Sequence, residues 1–210
     1  MKKLIGTSMC LVLVILVVAR IWYVNRDIDE QITETYSIGD EVTIGNNIFY
    51  EDYEDMSDYT VTVKGAEILT YEEFLDKYNY KEKESEPLFE EGDMTFPEMV
   101  YDVDIVIRNV NKEENELGGI NLFNYMLVTS DTLLQMSAPL YEISNPTLED
   151  GTMQFKLRPD TEMEFHLPFY FQPSTNYLPI SVEKIRNADL RLVVSLYPVQ
   201  QEIQIVDGKL

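Results

Sequence analysis

The sequence predicts a mainly β protein: an antiparallel β-sandwich with one or two short helices, preceded by an N-terminal transmembrane helix. Three observations lead there. From residue 41 onward, apolar residues recur at every second position, the period of a half-buried strand. Turn signals at Asn145–Pro146, Asp150–Gly151 and Pro159–Asp160 punctuate those runs. The first two dozen residues are instead an almost unbroken apolar stretch.

Residues 1–26 read as the membrane segment. Lys2 and Lys3 precede sixteen uncharged residues, Leu4–Ala19, and after Arg20 the stretch resumes with Ile21, Trp22, Tyr23 and Val24. As a helix, residues 4–24 would span about 31 Å, close to the thickness of a bilayer's hydrocarbon core. The basic start predicts a cytoplasmic N-terminus. Trp22 and Tyr23 suit the outer interface, and Arg20 can snorkel to the headgroups. The same residues also admit a cleaved signal peptide, with Val17 and Ala19 at −3 and −1 of a cleavage site. The apolar stretch continues past that site, which a discarded peptide does not need, so the retained anchor is preferred. Cys10 lies inside the apolar stretch rather than after it and reads as a membrane-buried thiol, not a lipid attachment point. Both readings put the chain beyond Asp27 outside the cytoplasm, as a single-pass protein of the cell membrane with an extracellular C-terminal domain.

Charge narrows the partners. All 38 acidic residues follow Arg26, against twelve of the 16 basic ones, a formal charge of −26 on the exported part. Such a surface repels phosphate and anionic headgroups, which argues against nucleic acid and direct membrane-surface binding. It favours cationic peptides or divalent ions, although plain solubility is the commoner reason for such a charge. No cysteine follows Cys10, so the exported domain has no intrachain disulfide and rests on an apolar core.

Residues 27–37 are acidic and polar and read as a tether; residues 38–210 read as one domain. Strand patterning starts at Glu41. Tyr59, Val61 and Val63 share a face, and after Gly65 the apolar phase moves to Ala66 and Ile68, as a β-bulge requires. Met99, Tyr101, Val103, Ile105 and Ile107 form the next face. Met153, Phe155 and Leu157 follow, then Met163, Phe165, Leu167, Phe169 and Phe171, then Leu190, Leu192, Val194 and Leu196, and last Ile203 and Ile205. Thr70 and Glu73 make a capping box, and Tyr71, Phe74, Leu75 and Tyr78 then recur at helical spacing, predicting a two-turn helix over 71–79. A second helical turn is expected over 181–187. The charged loop 81–97 holds Leu88, Phe89, Met94 and Phe96, which either cap the core or form an exposed contact patch.

The segments GDEVTIGNNIFYED, DYTVTVKGAEIL, YDVDIVIRNVNKEEN, LRPDTEMEFHLPFYF and ADLRLVVSLYP together resemble small immunoglobulin-like domains of unknown function. Such domains occur in exported or membrane-anchored proteins of Gram-positive bacteria, especially Firmicutes. The resemblance covers most of residues 38–206 and implies an immunoglobulin-like sandwich on the outer face of the membrane. It transfers no catalytic or binding residue. The exported part lacks both Trp and Cys, so antibody-type core marks are absent, and the 70–98 insertion departs from the pattern.

Catalytic signatures are sparse. His166 is the only histidine, and strand alternation puts it opposite Phe165 and Leu167, where it reads as a solvated residue. One histidine and no exported cysteine exclude the usual zinc sites. Neither a Gly-x-Ser-x-Gly elbow nor a phosphate-binding glycine loop is present. Asp102 and Asp104 share a strand face and are expected to pair with Lys or Arg on a neighbouring strand. Glu51, Asp52, Glu54, Asp55 and Asp58 crowd one loop and are weak candidates for calcium, without the spacing of an EF-hand. No catalytic residue and no cofactor are expected. The function expected is therefore that of a membrane-anchored extracellular binding domain for a protein or peptide at the cell envelope, with a cationic partner favoured by charge. The alternatives are an envelope-polymer hydrolase using a carboxylate pair and a structural spacer in an envelope complex.

Overall fold

A computed structural model of the chain describes residues 2–25, 31–50, 55–83, 85–90, 92, 95–116, 118–148, 152–171 and 182–205. The chain divides into two units, residues 1–31 and 32–210. The first holds α1 (Lys2–Asn25), a single 24-residue helix. From Val12 to Val24, where its side chains are described, every residue is exposed. Among the described residues, no helix is long and apolar enough to cross a membrane, so the transmembrane helix expected over residues 4–24 is not shown.

The second unit is mainly β. Its strands are β1 (Ile32–Ser37), β2 (Val42–Thr43), β3 (Tyr59–Thr70), β4 (Met99–Asn109), β5 (Ile120–Asn121), β6 (Met126–Val128), β7 (Leu133–Met136), β8 (Gln154–Phe155), β9 (Thr161–Phe171), β10 (Leu190–Ser195) and β11 (Val199–Ile205). Among the described residues, three short α-helices, α2 (Tyr71–Lys77), α3 (Ala138–Ser144) and α4 (Val182–Arg186), and one 3-10 turn, Leu122–Asn124, join them. Nine strands hydrogen-bond in the order β1-β11-β10-β6-β7-β9-β4-β3-β2, while β5 and β8 pair separately. All these pairings are antiparallel except β1 with β11.

Two sheets facing each other were expected, and the hydrogen bonding instead runs through a single sheet. Strand β7 makes the difference, because it pairs with β6 on one side and β9 on the other. The sheet is also nearly closed. Beyond β2, the Ile48 N–H donates to the Tyr197 carbonyl at 2.7 Å, and Gln201 Nε2 donates to the Thr43 carbonyl at 3.0 Å. Residues 32–37, read from sequence as tether, form β1. That strand is an edge held mainly by its backbone, with Tyr36 as its one partly buried residue, so its sequence carries no alternation.

Most of the apolar alternation is used as expected. Met99, Tyr101, Val103, Ile105 and Ile107 join Phe165, Leu167, Phe169 and Phe171 in the main core, with Leu190, Leu192 and Val194. The bulge appears where the phase flips, with a register shift between Val63 and Gly65. Helix α2 has its capping box: Glu73 N–H donates to Thr70 Oγ1 at 3.2 Å, and Thr70 N–H donates to Glu73 Oε2 at 2.8 Å. Tyr71, Phe74 and Leu75 of α2 bury against Val100 and Leu140 in a second, smaller core on the other face of the sheet.

Helix α3 had no counterpart among the elements read from sequence. Ser137 caps it and Pro139 sits in its first turn. Its C-cap, Asn145, does the work of a missing strand. Asn145 Nδ2 donates to the His166 carbonyl at 2.8 Å, and the His166 N–H donates to Asn145 Oδ1 at 3.0 Å. One side-chain amide thus satisfies a stretch of β9 that β7 is too short to reach.

Candidate functional site

Strand β4 has a second face, and α2 covers its start. Because side chains alternate along a strand, burial of Tyr101, Val103 and Ile105 on the core side turns Val100, Asp102 and Asp104 toward α2. Register sets their neighbours: Asp102 lies opposite Glu67 of β3 and Asp104 opposite His166 of β9. The bulge contributes here, since the extra residue at Lys64 brings Glu67 rather than an apolar neighbour beside Asp102.

Asp102 has no solvent exposure. Its Oδ2 accepts from Lys77 Nζ and from the Tyr78 hydroxyl, both at 2.6 Å. Its Oδ1 is buried with no hydrogen-bond partner among the described residues. Lys77 also reaches Glu67, at 3.5 Å. Beside this pair, His166 Nδ1 and Asp104 Oδ1 lie 2.5 Å apart, with their side chains 34% and 38% exposed. The Tyr78 ring meets the His166 ring edge-on, 5.3 Å between centroids. Three carboxylates, one ammonium and one imidazole therefore share a small space.

Three members of the cluster titrate away from their ordinary values. The hydrogen bond to Asp104 raises the His166 imidazole above its ordinary value, against the opposing effect of burial. Burial alone would lower Lys77, but the hydrogen bond and charge of Asp102 hold the ammonium above its usual value. Burial, followed by the charge of Asp102, pushes the Tyr78 hydroxyl far upward, so it stays a donor.

Asp102 pairs with a cation, but Lys77 comes from helix α2 and not from a neighbouring strand, so the expected cross-strand partner is not the one found. The expectation of a solvated His166 is not met. Alternation put it on the correct face, but α2 and Asp104 half-bury it. Of the calcium candidates, Glu51, Asp52 and Glu54 lie outside the described residues. Asp55 Oδ2 and Asp58 Oδ2 each accept from Asn115 Nδ2 at 3.0 Å, and Asp55 Oδ1 accepts from the Ser57 hydroxyl at 2.6 Å. Those carboxylates are engaged within the domain.

A groove of about 880 Å³ opens along the other side of α2. Its wall is aromatic: Phe89 and Phe96 pack edge-on against Tyr71, at 5.7 and 5.4 Å. Glu72, Glu90 and Glu98 stand exposed along it. Glu82 turns inward instead, accepting from the Tyr71 hydroxyl at 2.7 Å and the Leu88 N–H at 2.8 Å. No basic residue lines the groove among the described residues. Leu88, Phe89 and Phe96, read from sequence as cap or contact patch, take both roles: they pack on the smaller core, and Phe89 and Phe96 also face the groove. Met94 lies outside the described residues. The sequence signal for this site was the aromatic content of an otherwise charged loop.

The domain is thus small and mainly β, with a helix-bearing insertion that forms an acidic, aromatic groove on one side of α2 and covers a half-buried charge cluster on the other. The family model "Domain of unknown function (DUF5028)" matches residues 33–201, and the chain belongs to that family. Neither a curated protein nor a solved structure matches it.

Proposed function

We propose that this chain is a non-enzymatic binding module, held at the outer face of the cell membrane by residues 4–24, whose groove along α2 receives a cationic segment of a protein or peptide at the cell envelope. The observation that carries the reading is the groove, an aromatic wall edged by three exposed glutamates, with no basic residue among the described residues that line it. Apolar contact would supply affinity, and the carboxylates would supply selectivity and encounter rate. The apolar sequence of residues 4–24 and the exposed side chains of α1 from Val12 onward support the anchor. Asp102 speaks against carboxylate-pair hydrolysis, since it is fully buried beneath Lys77 and Tyr78, where no polymer chain reaches it. Kinship with immunoglobulin-like domains belongs to the same proposal and is supported by the antiparallel pairing of the long strands.

Calorimetric titration of the full chain in detergent with a peptide alternating Lys and Leu tests the groove. Replacing Glu72, Glu90 and Glu98 together with Gln should weaken binding by about tenfold, roughly half a kcal/mol per charge, and added salt should weaken it further. Equal affinity in the triple variant, or indifference to salt, would remove the groove from the proposal. Protease added to intact protoplasts should remove the domain beyond Asp27; full protection would overturn the topology.

A further inference from the structure

We infer that Asp102, Asp104 and His166 form a binding site for a single divalent transition-metal ion of the zinc class. The absence of a cysteine- or histidine-rich set excludes the usual structural zinc sites but not one built from two carboxylates and an imidazole, a mixed donor set that suits such ions. One donor atom from each residue lies within 4.8 Å of the others. Two metal–ligand bonds of about 2 Å bridge about 4 Å, close to that spread. Register supports this, because β4 and β9 hold Asp104 and His166 directly opposite each other.

Asp102 Oδ1 is the independent observation. A carboxylate oxygen with no solvent exposure and no hydrogen-bond partner among the described residues bears its full desolvation cost. A cation drawn to it removes that cost. Charge points the same way. Asp102, Asp104 and Glu67 face Lys77 alone when His166 is neutral, leaving two negative charges, which a dication would balance. Lys77 sits on the other oxygen, Oδ2, where its charge opposes a cation at Oδ1, and it can shift toward Glu67, already 3.5 Å away, as the metal binds. The partial exposure of Asp104 and His166 provides the route in. Imidazole and a three-ligand protein set favour zinc or cobalt over calcium, which seeks six to eight oxygens. Three protein ligands would leave at least one coordination position to water.

A single histidine makes the test specific. Zinc chloride titrated into the full chain in detergent should shift the one imidazole in long-range proton–nitrogen NMR spectra, saturating at one ion per chain. Cobalt chloride should give a visible spectrum that zinc abolishes. His166→Gln, at the accessible edge of the cluster, should weaken metal binding at least tenfold with circular dichroism unchanged, and Asp102→Asn should do the same. Lys77→Gln removes the competing cation and should tighten binding several-fold. An imidazole signal unmoved by millimolar zinc would overturn the inference, as would a His166→Gln protein that binds zinc as the wild type does. A Lys77→Gln protein with unchanged affinity would remove the buried Asp102 from the site. None of these readouts depends on the peptide groove.

Discussion

The two faces of strand β4 teach opposite lessons from one alternating sequence. On the core side, Met99, Tyr101, Val103, Ile105 and Ile107 are buried together, and each is what a buried strand position asks for. On the other side, Val100 and Asp102 are just as inaccessible, Asp104 is half-exposed and Arg108 is exposed. A period of two separates the faces but does not say what lies over the second one. Helix α2 decides that, burying an aspartate that by sequence alone would be left in water. The first face is held by dispersion and the hydrophobic effect, the second by a smaller apolar cluster under a capped two-turn helix together with a charge network.

The largest effect should come from the core face. Ile105→Ala should cost about 3 kcal/mol in denaturant-measured stability, because a packed β-sheet cannot collapse onto the void. A loss below about 1 kcal/mol would mean that this face is more loosely packed than described.

Lys77→Ala should cost about 2 kcal/mol by leaving Asp102 buried with Tyr78 alone. The figure lies below the range for a fully buried pair because Lys77 keeps 27% of its side chain exposed. Replacing both partners, Lys77→Met with Asp102→Leu, should return stability to within about 1 kcal/mol of the wild type. A double variant as unstable as Lys77→Ala would show that the network specifies the packing of α2 rather than merely tolerating burial.

Thr70→Ala removes one half of the capping box and should cost about 1 kcal/mol, followed by thermal melting. The same box makes a weak acid-sensitive contact. Hydrogen bonds from the Thr70 N–H and hydroxyl hold Glu73 below the ordinary carboxylate range. A depressed carboxylate contributes stability above its unfolded pKa and loses it as pH falls through its folded value. The Tm difference between wild type and Glu73→Gln should therefore shrink between about pH 5 and pH 3. Being fully exposed, Glu73 should show the smallest effect of the set, and a difference flat across that range would mean the hydrogen bond is not kept in solution.

Several elements were legible because their signals are local. The capping box of Thr70 and Glu73, the phase flip at Gly65 and the alternation of β9 each lie within a few residues and reflect backbone geometry directly. Helix α3 was missed although Ser137 and Pro139 are good start signals, since it buries only Leu140, Tyr141 and Ser144, and a serine among three buried positions leaves no apolar helical period. Strand β1 was missed because an edge strand with mostly exposed side chains need not alternate. The charge cluster was half-legible: Asp102 and Asp104 stood out on an apolar strand, but Lys77, 25 residues from Asp102 along the chain, had no local mark.

The sequence by itself determined which residues alternate, where the first helix of the domain starts, the strong negative charge beyond Arg26 and the apolar character of residues 4–24, since these follow from side-chain chemistry and neighbouring positions. Only the tertiary structure decided that nine of the strands join in one nearly closed sheet, that α2 roofs the second face of β4, and that Asp102, Asp104 and His166 meet beneath it. Strand pairing and helix docking depend on which distant surfaces fit one another, and that fit is a property of the assembled chain rather than of any stretch of it.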